Sequence, residues 1–484
     1  MNDLTSHLLL YGNLAQGGTI LASLAEIYAD WKAHSCTKPL LVQRIFRQVK
    51  RLLDLATECG FDKNLWHNYI AYLLATDENS FSLTCERVGA TPEASVNLFA
   101  LNDFKAMKGI FFFDFSEIEE DLGIDCFSIL GNYRAVPKRQ GAYNREISRM
   151  VQGLSAELEK CATEGAFFMV VTNFYKQRGV GAFALNQAFR IRKAGDGPVE
   201  LLPVVNLDSE GLSALVGYER QKELLRKNTE AFIEGRSANN VLLYGDSGTG
   251  KSTSVKALVH DYGDYGLRMI ELYKHQFQML PELVSMVKNR RYRFILLLDD
   301  LSFEENEVEY KYLKAVIEGG VESKPENLLV YATSNRRHLV REKWSDRDDM
   351  EHDGDIHRSD TMEEKLSLAE RFGIAILYAN PSKKEYLEII DTLARRAGIT
   401  LTPEEERLAT QWEIEHGGFS GRTAAQFVKS LARWGGGDDK QEESRISRDS
   451  RVSVPHPACN PCGMSYSMRP FFDGRHVGIC PDPS

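Results

Sequence analysis

The sequence predicts an α/β fold. A parallel sheet covered by helices on both faces (αβα) carries a C-terminal helical lid and follows a mainly helical or mixed N-terminal region. Between about residues 208 and 434, apolar runs of strand length alternate with helix-like segments, the pattern of a parallel sheet. Near the N-terminus, apolar residues recur instead at helical spacing in residues 40–59 and 65–74. A glycine-rich segment also joins one predicted strand to the helix that follows it.

These changes of pattern divide the chain into five regions. We expect a mainly helical region at residues 1–124, a mixed α/β region at 125–207, the αβα subdomain at 208–380, its helical lid at 381–434 and a tail at 435–484. The tail opens on three glycines and has few apolar positions with which to build a core, so we expect it to be disordered.

The mixed region is expected to combine a helix with extended segments. A helix is predicted at residues 143–163, and the apolar run at residues 167–171 is strand-like. Residues 188–193 and 199–205 flank a turn rich in Gly and Pro, which predicts a hairpin.

Five strands and three lid helices are predicted in the sheet and lid regions. The strands are placed at residues 241–244, 267–272, 294–299, 328–333 and 374–378. The lid helices begin at recognisable caps: Ser382 with Glu385 and Thr402 with Glu405 form capping boxes, and Ser420 can cap the last helix.

Residues 245–252 read Gly-Asp-Ser-Gly-Thr-Gly-Lys-Ser, the pattern of a phosphate-binding loop between a strand and a helix. Glycines allow the backbone N–H groups to approach the phosphates, and the helix directs its positive end towards them. We expect the Lys251 ammonium to reach the β- and γ-phosphates of ATP and the Ser252 hydroxyl to bind Mg²⁺. The predicted nucleotide-binding residues here are Gly245, Asp246, Ser247, Gly248, Thr249, Gly250, Lys251, Ser252 and Thr253. The alternative is a glycine-rich turn without a ligand.

Two carboxylates follow a second apolar strand of the predicted sheet. Asp299 and Asp300 come directly after the run Phe-Ile-Leu-Leu-Leu, and in a parallel sheet that strand ends beside the phosphate loop. We expect Asp299 to hold Mg²⁺ through water and Asp300 to polarise the attacking water. A strand that simply ends in a polar turn is the alternative.

Three further polar residues occupy positions from which they could reach a triphosphate. Asn335 follows another predicted strand and could bind the lytic water or the γ-phosphate, although such an Asn is usually a turn residue. Arg371 precedes the last strand and could stabilise charge on a neighbouring subunit, or form a surface salt bridge. Arg422 begins the last helix and could reach back from the lid, or be a helix N-terminal arginine without a ligand.

The order and spacing of these motifs resemble those of AAA+ ATPases, a branch of the P-loop NTPases. The resemblance covers about residues 208–434 and implies Walker A and Walker B motifs, with Asn335 as sensor 1, Arg371 as arginine finger and Arg422 as sensor 2. Gly217 and Tyr218, just before a predicted helix, look like the segment that packs on adenine in that superfamily. It also implies ATP and Mg²⁺ as cofactors.

The full chain most resembles a bacterial family of AAA+ ATP-binding proteins whose function is unassigned. In that family a region of about two hundred residues precedes one ATPase module. Residues 174–181 and 185–189 look like the segment that comes before the ATPase. The resemblance implies no substrate.

Bulk composition narrows the class of protein. The 43% hydrophobic and 26% charged residues are ordinary for a soluble globular protein, and the net charge of −10 argues against broad nucleic-acid binding. No apolar run is long enough to span a bilayer, and the N-terminus lacks a basic signal segment, so we expect a cytoplasmic protein without a membrane partner. Five cysteines among apolar neighbours are expected to be reduced thiols: Cys36, Cys59, Cys85, Cys126 and Cys161.

Two departures from the AAA+ pattern shape the functional hypotheses. Asp300 stands where most of these enzymes have Glu, so its water contact would be longer and hydrolysis slower, unless Glu304 or Glu305 compensates. The segment Tyr273-Lys274-His275 also lacks the pattern of substrate-threading pore loops, which weakens an unfoldase hypothesis.

Three functions therefore remain under comparison. The first is an oligomeric ATPase, a ring or open assembly, that remodels or loads an unknown macromolecule, protein rather than nucleic acid. The second is a slow ATP-dependent switch or loader that acts through a partner protein. The third is a small-molecule kinase, which the lid and Arg371 disfavour because a kinase needs an acceptor pocket over the phosphates.

Two clusters of metal-ligand residue types have plainer explanations. The tail contains Cys459 and Cys462 in a CxxC arrangement, but a zinc site needs four ligands and no second CxxC is present. A site could be completed by His456, His476 and Cys480, although their spacing is irregular. Residues 344–364 are rich in Asp, His and Glu, which is typical of a charged mobile loop.

Overall fold

The computed structural model describes residues 1–91, 93–136, 143–193, 195, 197–205, 210–303, 310–318, 325–335 and 370–434. The described part before position 187 is mainly helical and is called the helical region below. Its helices are α1 (Asn2–Ser6), α2 (Ile20–Lys32), α3 (Lys38–Cys59), α4 (Leu65–Thr76), α5 (Ser80–Val88), α6 (Val96–Phe111), α7 (Ser116–Leu122), α8 (Cys126–Gly131), α9 (Arg145–Leu158), α10 (Glu164–Arg178) and α11 (Ala182–Leu185).

The longest of these helices shows how the sequence specifies the helical region. In α3, Leu41, Ile45, Leu52 and Ala56 are buried at spacings of four, seven and four residues, so they form one apolar face. The helix ends at Gly60, whose φ of +69° favours glycine. The helices predicted from the periodicity at residues 40–59 and 65–74 are confirmed as α3 and α4.

The strand predicted at residues 167–171 is wrong, because these residues lie inside α10. Thr163 caps this helix by accepting a hydrogen bond from the N–H of Ala166 at 3.2 Å. Phe167 and Val171 are fully buried four residues apart, on one helical face that packs against α5 and α6. A short apolar run cannot by itself distinguish a buried helix from a strand.

In the described residues, seven strands form one sheet in the order β2-β1-β4-β5-β6-β3-β7. The strands are β1 (Ala188–Lys193), β2 (Val199–Pro203), β3 (Val241–Gly245), β4 (Leu267–Leu272), β5 (Arg293–Leu298), β6 (Leu328–Ser334) and β7 (Ile374–Tyr378). All neighbours pair in parallel except β1 and β2. The five strands predicted in the sheet region are confirmed to within one residue at each end.

The predicted hairpin is confirmed as the antiparallel pair β1 and β2. Strand β1 also pairs in parallel with β4, so the hairpin extends the sheet on that side. The sequence pattern had grouped these two strands with the mixed region that precedes the sheet.

Helices cover the sheet and form the lid. They are α12 (Glu219–Ile233), α13 (Lys251–Tyr262), α14 (Leu280–Val287), α15 (Tyr310–Glu318), α16 (Lys383–Arg396), α17 (Pro403–His416) and α18 (Gly421–Trp434). Both predicted capping boxes are present at the starts of α16 and α17, and the Ser420 hydroxyl accepts from the N–H of Thr423 at 3.1 Å. The predicted fold class, a P-loop αβα domain with a helical lid after a mainly helical region, is confirmed.

The helical region meets the sheet where β5 begins. The Arg290 guanidinium donates two hydrogen bonds of 2.8 Å to the two carboxylate oxygens of Glu86 and a third of 2.8 Å to Glu78. The Glu86 side chain is fully buried and that of Arg290 is 8% exposed. The Tyr292 hydroxyl donates to the backbone oxygen of Arg178 at 2.6 Å. We call Glu78, Glu86 and Arg290 the buried ion cluster.

The structure also bears on two expectations from composition, which concern membrane-spanning helices and the state of the cysteines. Within the described residues, no helix is both long and apolar enough to cross a membrane. The cysteines described are all free thiols, at positions 36, 59, 85, 126 and 161, and three of them are buried. Burial raises the pKa of Cys59 to about 12 and that of Cys85 to about 11, so both are protonated at neutral pH.

Candidate nucleotide site

The predicted site residues meet at the carboxyl ends of three neighbouring strands. The glycine-rich loop follows β3, the two acids follow β5, and Asn335 follows β6, which lies between β3 and β5. Because the strands are parallel, all three ends lie on one edge of the sheet, where ligands bind in open α/β folds.

The glycines of the loop are required by close contacts as well as by backbone angles. Gly245 has a φ of +131°, and a Cβ there would lie 2.2 Å from the carbonyl oxygen of Tyr378 on β7. Gly248 has a φ of +79°, and a Cβ there would lie 3.0 Å from the Ser420 hydroxyl of the lid. A larger residue at either position would push the loop away from its neighbours.

Lys251 begins α13 and directs its ammonium back into the loop. Its Nζ donates to the carbonyl oxygens of Gly245 at 2.9 Å and Asp246 at 2.6 Å, and to Oδ1 of Asn335 at 3.1 Å. The residue is only 7% exposed, and burial lowers the pKa of its side chain. The structure thus places the buried Lys251 ammonium next to the side-chain oxygen of Asn335.

A hydroxyl and a carboxylate lie together where Mg²⁺ is expected. The Ser252 hydroxyl donates to Oδ1 of Asp299, and the Thr333 hydroxyl donates to the same oxygen at 2.6 Å. These oxygen donors fit Mg²⁺, which binds through one or two protein oxygens and keeps several waters. Among the described residues, no group of three or more His, Cys, Asp and Glu side chains is arranged to hold a metal by itself.

Asp300 is held next to this pair by its backbone and its side chain. Its φ of +52° is unusual for a residue other than glycine, and its N–H donates to the Thr333 hydroxyl at 3.0 Å. The amide Nδ2 of Asn335 donates to Oδ1 of Asp300 at 2.8 Å. The exposed carboxylate is therefore linked through Asn335 to Lys251.

Thr333 is a site residue that the sequence analysis did not single out. Its hydroxyl donates to Asp299 and accepts from the N–H of Asp300, so one buried group orients both acids. The available signal was a hydroxyl residue two positions before Asn335, on the same face of an otherwise apolar strand.

The lid contributes Arg422, and Arg371 lies elsewhere. The backbone N–H of Arg422 donates to the carbonyl of Gly248 at 3.2 Å, and its charge is among the causes that lower the pKa of Lys251, after burial. Arg371 is half-buried just before β7. In the described part of the chain it forms no hydrogen bond to Lys251, Asp299 or Asp300.

A cleft of about 680 Å³ adjoins the loop and contains the predicted adenine-binding residues Gly217 and Tyr218. Tyr218 has a φ of +59°, stacks on Tyr378 with ring centres 5.0 Å apart, and donates from its hydroxyl to the carbonyl of Ala379 at 2.9 Å. Burial raises the pKa of Tyr218 to about 12, so its ring remains a neutral phenol.

Loop and cleft are joined by one hydrogen bond. The N–H of Asn380, which lines the cleft, donates to a carboxylate oxygen of Asp246 at 2.8 Å. The cleft and the glycine-rich loop therefore lie side by side.

Several predictions concern residues outside the described part of the chain. These are Glu304 and Glu305, the acidic segment at 344–364, and the tail with Cys459 and Cys462. They stay predictions.

Comparison with known proteins gives limited structural likeness and a clear family. Among solved structures, a RuvB variant of Thermotoga maritima is 18% identical, with a TM-score of 0.34 over 47% of this chain and 65% of that chain. A second T. maritima RuvB, described as a Holliday junction branch migration motor, is 17% identical, with a TM-score of 0.32 over 47% and 65%. The AAA domain of FIGL-1 in complex with ADP is 16% identical, with a TM-score of 0.32 over 46% and 73%.

The match thus spans less than two thirds of the length of these RuvB chains. No curated protein matches the chain. Residues 184–434, more than half of the chain, match the family described as "Protein of unknown function (DUF815)". The chain belongs to that family.

Proposed function

We propose that this chain binds ATP and hydrolyses it with Mg²⁺, as an oligomeric ATPase of the AAA+ type. The observation that carries the proposal is the convergence of Lys251, Ser252, Asp299, Asp300 and Asn335 at one edge of the sheet, beside a cleft large enough for a nucleoside. A structural turn would not require a buried ammonium, a hydroxyl–carboxylate pair and an exposed carboxylate within one hydrogen-bonded group.

Each residue then has a chemical task. Loop N–H groups and the Lys251 ammonium neutralise the β- and γ-phosphates, and Arg422 adds a charge from the lid. Ser252 would bind Mg²⁺ directly and Asp299 would hold it through water, and the bound ion would supply charge neutralisation at the phosphates. Asp300 accepts a hydrogen bond from the attacking water and orients it towards the γ-phosphate.

The Lys251 ammonium must change its hydrogen-bond partners when ATP binds. The ammonium donates to two loop carbonyls and to Asn335, and all three are neutral acceptors. A phosphate is a stronger, charged acceptor, so the ammonium would turn towards it. Asn335 would remain bonded to Asp300 and so position the water-activating carboxylate.

Steady-state phosphate release from ATP tests the proposal. We expect release by the full chain that requires Mg²⁺, that stops with EDTA, and that needs no added phosphoryl acceptor. Release only in the presence of a small-molecule acceptor would support a kinase instead. Absence of release together with absence of ATP binding would refute the proposal.

The oligomer part of the proposal rests on Arg371, which we infer acts on the γ-phosphate of the next subunit. Turnover per subunit should then rise steeply with protein concentration. Mixing Lys251→Ala with Arg371→Ala, each inactive alone, should restore activity, because mixed interfaces pair an intact loop with an intact arginine. Linear activity without an oligomer in light scattering, or no recovery on mixing, would contradict action in trans.

The main alternative is a slow ATP-dependent switch that acts through a partner protein. It is favoured by Asp300, whose side chain is one methylene shorter than that of Glu and is held by the Asn335 amide at 2.8 Å, so that its contact with the attacking water would be longer. A large gain in turnover for Asp300→Glu would indicate a site built for slow hydrolysis. A loss would indicate a site fitted to aspartate.

We propose the helical region as the surface that binds the macromolecular target. The helical region precedes the ATPase and is joined to the start of β5 by the buried ion cluster. A movement of the sheet would therefore be transmitted to the helical region. Its target is expected to be a protein rather than a nucleic acid, because the net charge of the chain is −10. Nucleic acid that stimulates turnover more than any protein partner would argue against this assignment.

A further inference from the structure

A second cavity lies between the helical region and the sheet, at the edge opposite the phosphate loop. It has a volume of about 200 Å³ and is bordered by Gln177 and Arg178 of α10, by Gln187, by the turn at residues 263–266 before β4, and by Arg268. The cavity is thus built from both parts of the chain and is separate from the nucleotide site.

Arg268 is the unusual residue of this cavity. It is 6% exposed, and its guanidinium donates to the carbonyl oxygens of Phe183 at 2.6 Å, Gly263 at 2.7 Å and Leu267 at 2.8 Å. In the part of the chain that the structure describes, no carboxylate lies within ion-pair distance of it. Burial lowers the pKa of this group, as expected for a buried cation without a counter-charge.

Two carboxylates also line the cavity, and both are engaged by other arginines. Asp264 lies 3.5 Å from Arg178 and 3.8 Å from Arg149, and Glu146 lies 2.6 Å from Arg149. The Asp264 charge also acts on Arg268 from beyond ion-pair distance, so within the described residues the positive charge of Arg268 is only partly balanced.

A second arginine, Arg291, also lines the cavity but is exposed. Arg291 donates to the carbonyl oxygen of Lys176 and, among the described residues, has no carboxylate within ion-pair distance. Arg268 and Arg291 thus place two guanidinium groups in the lining of one small cavity, and in the described residues neither has a carboxylate within ion-pair distance.

A neutral hydrogen-bonding group completes the lining. The Gln187 side chain packs against Gly263, where a Cβ would lie 2.4 Å from its Cδ, and Gly263 is also a carbonyl partner of Arg268. Within the described residues the Gln187 amide forms no hydrogen bond, so its N–H groups are available to a ligand.

We propose that this cavity binds a small oxyanion, a phosphate or a short carboxylate, between the helical region and the sheet. Guanidinium groups bind such anions through paired N–H donors, and the low dielectric around the buried Arg268 strengthens the attraction. The volume is below the 300–1,000 Å³ typical of pockets for larger ligands, so a nucleotide is not expected. The proposal does not depend on ATP hydrolysis.

Binding is measured on the full chain carrying Lys251→Ala, so that the phosphate loop does not compete. Equilibrium dialysis uses radiolabelled inorganic phosphate, then radiolabelled succinate, at constant ionic strength in chloride. We expect about one saturable site per chain for at least one of the two anions. If neither anion binds, the proposal is refuted.

Variants locate the site within the molecule. Gln187→Glu places a carboxylate beside Gly263 with almost no change of volume, so it should supply the missing counter-charge and abolish anion binding while the protein stays folded. The matched control is Gln16→Glu at an exposed position, which should bind like the parent. Arg291→Gln, at an exposed position, should weaken binding at least tenfold. Unchanged binding in both Gln187→Glu and Arg291→Gln would overturn the proposal.

Discussion

The two ends of strand β5 use charged residues in opposite ways. Where the strand begins, Arg290 and Glu86 are buried, and the guanidinium donates one hydrogen bond to each oxygen of the carboxylate. Where it ends, Asp299 is half-buried, Asp300 is exposed, and both lie beside Lys251 without forming an ion pair with it in the described residues.

This difference separates structural charges from charges kept for a ligand. A buried pair that satisfies itself leaves nothing for a substrate and fixes one part of the chain on another. At the other end of the strand, the Lys251 ammonium donates hydrogen bonds to neutral carbonyl oxygens. A phosphate oxygen can replace these carbonyls as the acceptor. We therefore expect substitutions at the start of β5 to change stability, and substitutions at its end to change turnover.

The largest expected effect is on stability, at the buried ion cluster. Glu86→Gln removes the buried one of the two counter-charges of Arg290, leaving Glu78, and should lower the free energy of unfolding by about 3 kcal/mol. The control Glu200→Gln removes the partner of Arg192 in an exposed pair and should cost less than about 1 kcal/mol. Urea unfolding of both variants measures the difference. Equal midpoints would show that burial does not distinguish the two pairs.

The next effect is on turnover, at the other end of the same strand. Asp299→Asn keeps the size and hydrogen-bonding oxygen of the side chain but loses its charge, so we expect ATP hydrolysis to fall by roughly 100-fold or more with little change in melting temperature. The control Asp391→Asn lies in an exposed pair with Arg395 on the lid. A large fall in stability without a specific loss of turnover would reverse the assignment.

A smaller effect is expected at Thr333, which positions both acids. Thr333→Val keeps the shape but leaves the N–H of Asp300 without its acceptor, so kcat should fall by about tenfold and more Mg²⁺ should be needed for half-maximal rate. Thr333→Ser retains the hydroxyl and should remain near the wild-type rate. If serine does not rescue the valine variant, the hydroxyl is not the cause.

The smallest effect is a pH dependence of stability due to Lys251. Burial lowers its pKa in the folded, nucleotide-free protein below the ordinary 10.5. Below the lowered pKa both states carry the charge, and its burial destabilises the folded state in full. As pH rises from the lowered pKa towards 10.5, the folded state releases its proton first and this cost disappears.

Lys251→Met removes that titration. Relative to wild type, the melting temperature of the variant should therefore decline as pH rises from about 7 to about 10. A difference that is independent of pH would show that the ammonium is not penalised by burial.

Local pattern was sufficient to predict much of the fold. The strands of the sheet were predicted because each is a short apolar run bounded by polar turns, and the lid helices because Ser382, Thr402 and Ser420 are strong caps. Residues 167–171 were misassigned because five consecutive apolar residues carry no period.

The sequence predicted those candidate site residues whose residue type has a single plausible role at its position. The glycines, Lys251 and the two acids have fixed spacing to a strand or helix, so their meeting at one edge follows from parallel pairing. Thr333 was missed because a threonine in a strand is ordinary until its hydrogen-bond partners are known. The pairing of Glu86 with Arg290, more than 200 residues apart, leaves no local signal at all.

Steady-state phosphate release for Lys251→Ala beside Lys256→Ala tests the central claim most directly. Both lysines lie on α13, but Lys256 is bound to Glu271 at 3.2 Å rather than to the loop. We predict that Lys251→Ala loses hydrolysis by at least about 100-fold while Lys256→Ala stays within about threefold of wild type. Equal rates for wild type and both variants would show that ATP is not hydrolysed at this loop.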